Sequence, residues 1–217
     1  MKSLFLAAAD LEGFLIEQGW RYCFIGGIAL QRWGQPRLTN DVDVTILTGF
    51  GNEAAYVDIL LERYTARISD ARDFALRNRV LLLQTQGRVP IDVALGGIAF
   101  EEQVVSRATR YEFLAEISLL TCSAEDLIVL KAFADRQRDW GDVESIITRQ
   151  HGRLDWDYVV KQLQPLCELK GTPEIVDHVR RLLVSQQEQK HRQGYERDPP
   201  GEGEFDVWEN EQVWPDS

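Results

Sequence analysis

No apolar run in this chain approaches the roughly 20 residues needed to span a bilayer. The N-terminal MKSLFLAAADLEGFL looks briefly like a leader, but Asp10 and Glu12 interrupt its apolar stretch. The pattern then continues at helical spacing, so it reads as a first helix of a soluble, cytoplasmic protein. Histidine and cysteine are scarce. His151, His178 and His191 have no partner at ligand spacing, and Cys23, Cys122 and Cys167 form no CxxC pair. This excludes the common zinc frameworks, and Cys23 and Cys122 read as small buried hydrophobes. Base is in deficit too: the net charge over 217 residues is −11. That argues against a protein that coats nucleic acid, while leaving room for a local basic groove. The deficit is uneven. Tyr195–Ser217 holds eight acids against one base, Arg197, so the tail carries −7 and residues 1–194 carry −4. No internal repeat is present.

The informative stretch is FIGGIALQRWGQPRLTNDVDVTIL, Phe24–Leu47. It reads as a strand (Arg21–Ile25), a Gly26-Gly27 turn opening a short helix, a loop QPRLTN, and a strand Asp41–Leu47. Side chains alternate across a strand, so Asp41 and Asp43 share one face and Val42 and Val44 the other. Two acids on one strand face repel each other, and a divalent cation with a preference for hard oxygen ligands relieves this. Asp92 in VPIDVAL alternates with Ile91 and Val93 in the same way and is the candidate third carboxylate. Pro90 before it suggests an edge or a strand start. Missing side chains at Gly26-Gly27 would let a phosphate approach the backbone, and free amides at a helix N-terminus favour anions. Taken singly, a Gly-Gly turn or a pair of strand acids is usually structural. Together, with thirteen residues between Gly27 and Asp41, they set a phosphate cradle and a metal pair at the ends of adjacent strands.

The remaining elements follow from periodicity and punctuation. Residues 3–18 form a helix with Leu4, Ala7, Ala8, Leu11 and Leu15 on one side. A helix spans about 52–65, and strands Val80–Leu83 and Val89–Leu95 form a hairpin around Gly87. A short helix begins near Phe100, and Phe113–Leu120 reads as one strand. Ser123 and Asp126 open a helix running to about Asp139, followed by helices at Gly141–Gln150, Asp155–Leu169 and Pro173–Gln187. On the first of these, Leu127, Leu130, Phe133 and Ala134 make an apolar stripe, and Lys131, Asp135 and Arg138 fall near another face. The expected architecture is α/β (α+β): a mixed sheet with flanking helices over 1–120, a helical region completing a cleft over 121–187, and a disordered acidic tail over 188–217. In that tail Phe205, Val207, Trp208, Val213 and Trp214 are apolar enough to dock on a protein partner or on the fold. Trp20, Trp33, Trp140 and Trp156 read as packing residues, with base stacking also open to Trp33.

The Gly26-Gly27 and Asp41-Val42-Asp43-Val44 pattern resembles the nucleotidyltransferase superfamily of the DNA polymerase beta type. The segment Pro36-Arg37-Leu38-Thr39-Asn40-Asp41-Val42-Asp43 looks more specifically like the AbiEii toxin branch and related bacterial nucleotidyltransferase-like proteins. The resemblance reaches roughly residues 24–142 when the Lys131-to-Asp142 stretch is included. It implies a nucleotidyltransferase fold and transfer of a nucleoside monophosphate from an NTP, ATP among them, to RNA, a protein hydroxyl or a small molecule. It implies Mg²⁺, with Mn²⁺ as a substitute, on Asp41, Asp43 and Asp92. Gly26 and Gly27 would cradle the nucleotide, and Lys131 would reach its phosphates. Arg37 would pair with phosphate oxygens or remain a solvated loop cation, and Thr39 would donate a hydroxyl there or cap the loop. Arg138, Asp139 and Asp142 would support the site. A toxin–antitoxin role follows from the branch. The alternative is an inactive or antitoxin-like relative acting by partner binding.

Overall fold

A computed structural model describes residues 1–150 and 152–197. Helix α1 (Lys2–Glu17) leads through Gly19 into β1 (Tyr22–Phe24), then α2 (Gly26–Trp33), β2 (Val42–Leu47) and α3 (Glu53–Arg63). Next come β3 (Thr65–Ala66), α4 (Ala71–Asn78), β4 (Val80–Gln84), β5 (Pro90–Gly96), α5 (Ala99–Ser106), β6 (Thr109–Leu114) and β7 (Ile117–Thr121). Helices α6 (Ala124–Ala134), α7 (Gln137–Gln150), α8 (Trp156–Lys170) and α9 (Glu174–Arg197) complete the described chain.

The seven strands form one mixed sheet in the order β3-β4-β5-β2-β1-β7-β6. β2 is central, antiparallel to β1 and parallel to β5. One face carries Val42, Val44 and Ile46 with Ile91, Val93, Leu81 and Leu83, all fully buried against α1, α3 and α4. Each such side chain contributes about 1.5–3 kcal/mol relative to exposure. A one-residue slip of β2 would replace these valines with Asp43, so the apolar face fixes the register. The opposite face packs on α2, α5 and the helical half, through Leu30, Phe100, Val104, Leu127, Ile128 and Ile146. Glu12, which breaks the leader-like run, is buried in α1. It accepts hydrogen bonds from Tyr22 Oη (2.9 Å) and the Leu120 amide (3.0 Å) and an ion pair from Arg110 (3.1 Å), tying α1 to three strands.

Several expectations need correction. Phe113–Leu120 is not one strand but the inner part of a hairpin, β6–β7, turning at Glu116 with φ 69°. β6 exposes Thr109–Glu112 at the sheet edge, so it has no apolar alternation to read. The helix expected from 124 to 139 ends at Asp135, in left-handed geometry with φ 56°, and α7 starts afresh at Gln137. Lys131, Asp135 and Arg138 therefore do not share a helix face. α6 is buried on most sides, including Asp126, Ile128, Val129 and Lys131, while Leu130 and Phe133 of the expected stripe are only partly covered. Segment 65–79, with no assignment from sequence, supplies β3 and α4. Pro90 does open its strand, but β5 lies inside the sheet between β4 and β2, not at an edge. At that first position its missing N–H costs no ladder bond farther along. α9 runs past the expected end at Gln187 to Arg197. The segment 198–217, with the five apolar tail residues, lies outside the described residues, as does His151.

Cys23 and Cys122 are free and buried, as expected, and Cys167 is free and buried as well. Trp33 packs: its indole N–H donates to the Cys122 carbonyl at 2.8 Å, and the Arg32 guanidinium covers its ring. Among the described residues no helix is long and apolar enough to cross a membrane.

Candidate functional site

Because β1 and β2 are antiparallel, the C-terminal end of β1 lies beside the N-terminal end of β2. Phe24 pairs with Val44, and the Ile25 amide donates to the Asp43 carbonyl at 3.0 Å. The chain then turns at Gly26, with φ 53°, directly into α2. On the other side of β2 the parallel strand β5 sets Asp92 opposite Asp43. Asp41 stands one residue ahead of β2 rather than within it. One carboxylate oxygen from each of Asp41, Asp43 and Asp92 lies within 4.8 Å of the others. Two strands and a turn thus bring together the three acids picked out by alternation.

The cluster is electrostatically costly. Burial pushes the Asp43 carboxyl up to about 6, and the neighbouring Asp41 adds to the rise. Burial also raises Asp92, outweighing the opposing Arg67 guanidinium. Three hard oxygen donors, with one arginine against them, suit a divalent cation. Mg²⁺ bonds of about 2.0–2.1 Å need donors that can close to about 3–4 Å of each other, a modest contraction of this cluster.

The two glycines have a role the sequence did not suggest. A Cβ on Gly26 would overlap the Asp43 carboxylate, and one on Gly27 would overlap the Thr39 side chain. The space beside the turn is taken by these protein groups. The Gly27 amide donates to Asp43 Oδ2 at 3.2 Å, and the Thr39 hydroxyl donates to Asp41 Oδ1 at 2.8 Å. Thr39 thereby orients Asp41. Gly26→Ala is expected to cost about 1–3 kcal/mol, from the left-handed backbone together with the displaced Asp43. Urea unfolding of the variant measures this, and an unchanged midpoint would contradict it.

Lys131 does not point into open space. Its Nζ is buried, 3.0 Å from Asp139 Oδ1 and 2.6 Å from Asp142 Oδ2. Asp142 also receives Arg37 Nε and Nη2, each at 2.8 Å, in a bidentate pair. The second Asp139 oxygen is buried without a hydrogen bond, although Arg136 Nε lies 3.3 Å away out of line. The break at Asp135 makes this possible by folding α7 back on α6. Arg37, held by Asp142, then lines a cleft of about 200 Å³ beside Asp41, together with Leu38, Asn40, Pro90, Arg67 and Arg138. Arg67 forms an ion pair with Asp92. It comes from a polar stretch with no pattern, and no sequence signal marked it.

Burial would raise the Asp142 carboxyl, but hydrogen bonds from Arg37 and Lys131 hold it below the usual carboxylate range. A depressed folded-state pKa stabilises the protein above the unfolded value of about 3.9, and this is lost as pH falls through the lower folded value. The Asp142→Asn variant should therefore show a weaker fall in urea midpoint than the wild type below about pH 4. Equal acid sensitivity would contradict the network.

A central mixed sheet, a Gly-Gly helix entry and three converging aspartates define a nucleotidyltransferase fold. The chain belongs to the nucleotidyl transferase AbiEii toxin family, type IV TA system, whose family model matches residues 11–206. No match is found among curated proteins. Solved structures similar to this one include an antigenic nucleotidyltransferase-like protein from Paracoccidioides brasiliensis, 15% identical with a TM-score of 0.47, covering 81% of this chain and 91% of that one. The lincosamide adenylyltransferase LnuA, lincomycin-bound, is 10% identical with a TM-score of 0.43, covering 63% and 92%. The antibiotic-resistance factor ANT(2'')-Ia is 18% identical with a TM-score of 0.36, covering 88% and 94%.

Proposed function

We propose that this chain moves a nucleoside monophosphate from an NTP to the hydroxyl of an acceptor, using Mg²⁺ or Mn²⁺ held by Asp41, Asp43 and Asp92. The observation that carries this reading is the convergence of those carboxylates across the β2–β5 register. When bound, the divalent cation supplies positive charge to the phosphoryl oxygens and to the attacking and leaving oxygens. Arg37 and Arg138, lining the cleft beside Asp41, offer guanidinium donors to nucleotide phosphates. Thr39 holds Asp41 in place. Lys131 acts through Asp142 to aim Arg37, rather than reaching the phosphates itself. The acceptor oxygen bonds to the α-phosphorus, the α–β bridging P–O bond breaks, and pyrophosphate leaves. The hydroxyl proton passes to Asp92, whose side chain is 34% exposed.

Membership of the AbiEii family supports a toxin role, an antitoxin partner and work inside the cell, where NTPs are found. RNA and protein are the acceptors to try first, with small molecules third. The test is incubation of the full chain with Mg²⁺, each α-labelled NTP in turn and whole-cell RNA or protein. Label should enter one fraction with the wild type and not with Asp43→Asn. No labelled product, together with no metal-dependent NTP binding, would sink the reading.

A further inference from the structure

Arg67, Leu82, Asp92 and Asp43 form one row across the sheet. The Arg67 amide donates to the Leu82 carbonyl at 3.0 Å, Leu82 pairs with Asp92, and Asp92 pairs with Asp43. The Arg67 side chain passes over Leu82 to the Asp92 carboxylate. Among the described residues Asp92 is the one triad acid in an ion pair; Asp41 and Asp43 are held by the Thr39 hydroxyl and the Gly27 amide. Arg67 thus neutralises one of the three carboxylates of the cation site. It leaves the sheet just after β3, a two-residue edge strand, and it also lines the cleft with Arg37 and Arg138. Two environments lie within one side chain's swing: a carboxylate on one side and a cationic cleft on the other.

We propose that Arg67 is an exchangeable counterion. It neutralises Asp92 while the cation site is empty, and a divalent cation entering the triad displaces it into the cleft, where it joins Arg37 and Arg138 on a nucleotide phosphate. Without an anion in the cleft, Arg67 would leave Asp92 for a space lined by Arg138 and by Arg37, whose partner is already Asp142, so it stays on Asp92. With a phosphate there, the same three groups are compensated. Cation and nucleotide therefore assist each other through one side chain, and neither is well held alone. The proposal rests on the metal reading of the triad given above.

The two ligands should respond to Arg67→Gln in opposite directions, which simple damage to the site would not produce. Mn²⁺ binding by the full chain, followed by electron paramagnetic resonance without nucleotide, should tighten by about fivefold or more when a partly exposed competing charge is removed. Binding of a non-hydrolysable NTP analogue at saturating Mg²⁺ should weaken by about tenfold on losing a charged phosphate donor. Arg67→Lys should lie between wild type and Arg67→Gln on both scales. Mn²⁺ affinity that is unchanged or weaker in Arg67→Gln overturns the counterion role. Unchanged nucleotide affinity overturns the transfer to phosphate. If neither wild type nor variant binds Mn²⁺, the metal reading fails and this proposal fails with it. If both bind Mn²⁺ equally, the metal reading stands and only the exchange is lost.

Discussion

Asp43→Asn is expected to lower NMP transfer by about a thousandfold or more, equivalent to about 4 kcal/mol of transition-state stabilisation. Asp43 lies within the central strand, directly opposite Asp92 and two residues after Asp41. An amide keeps the shape and can still face the Gly27 amide, but it removes one of the charges that would hold the cation. The same change should not weaken the cation-free protein. Burial and Asp41 both disfavour charge at Asp43, so a neutral group there relieves repulsion. The expected pattern is lost transfer with a Tm, measured without divalent cations, equal to or above that of the wild type. A variant that keeps a tenth of the activity would mean Asp43 is not a metal ligand. One that unfolds easily would mean its charge is a structural necessity.

Lys131→Met should behave in the opposite way. It is expected to destabilise the fold by about 3–5 kcal/mol, because it leaves two buried carboxylates facing each other with one cation removed. Asp142 keeps Arg37, which places the loss toward the lower end of that range. Asp139 keeps only the poorly aligned Arg136. Urea unfolding measures the loss directly. Adding Asp139→Asn to the methionine variant should recover part of it, since the double change removes the stranded charge along with its partner. If Lys131 instead served mainly to touch the nucleotide, the single variant would melt like the wild type and lose only nucleotide affinity.

The reach of sequence reasoning follows the range of each contact. Gly26, Gly27, Asp41 and Asp43 lie within 18 consecutive residues around the paired ends of β1 and β2, so alternation and a turn signal were enough to bring them together. Asp92 showed the same alternation, but its pairing opposite Asp43 depends on the register between strands nearly fifty residues apart. Lys131 is legible as a candidate, but its surroundings are not. The helix appeared continuous because its left-handed C-terminal residue is Asp135, not a glycine. Reading through that break put Lys131 near one face with Asp135 and Arg138, whereas the turn folds it onto Asp139 and Asp142. β6 was missed because an exposed edge strand needs no apolar alternation. α4 buries only Ala71 and Ala75, too little for a periodic signal. Arg67 had no pattern at all, since its partner is set by a row running from the end of β3 across β4 to β5.

The central place of β2 also bears on how long the site keeps its shape. β2 is bonded on both sides, in a sheet of seven strands, with Val42, Val44 and Ile46 fully buried beneath it. Segments of that kind open only when the whole molecule opens, while two-residue edge strands fray continually. The spacing between Asp43 and Asp92 is therefore insensitive to breathing of loops or termini. Partial unfolding that frees β3 leaves the carboxylates in register, so losing their geometry and losing the fold are one event.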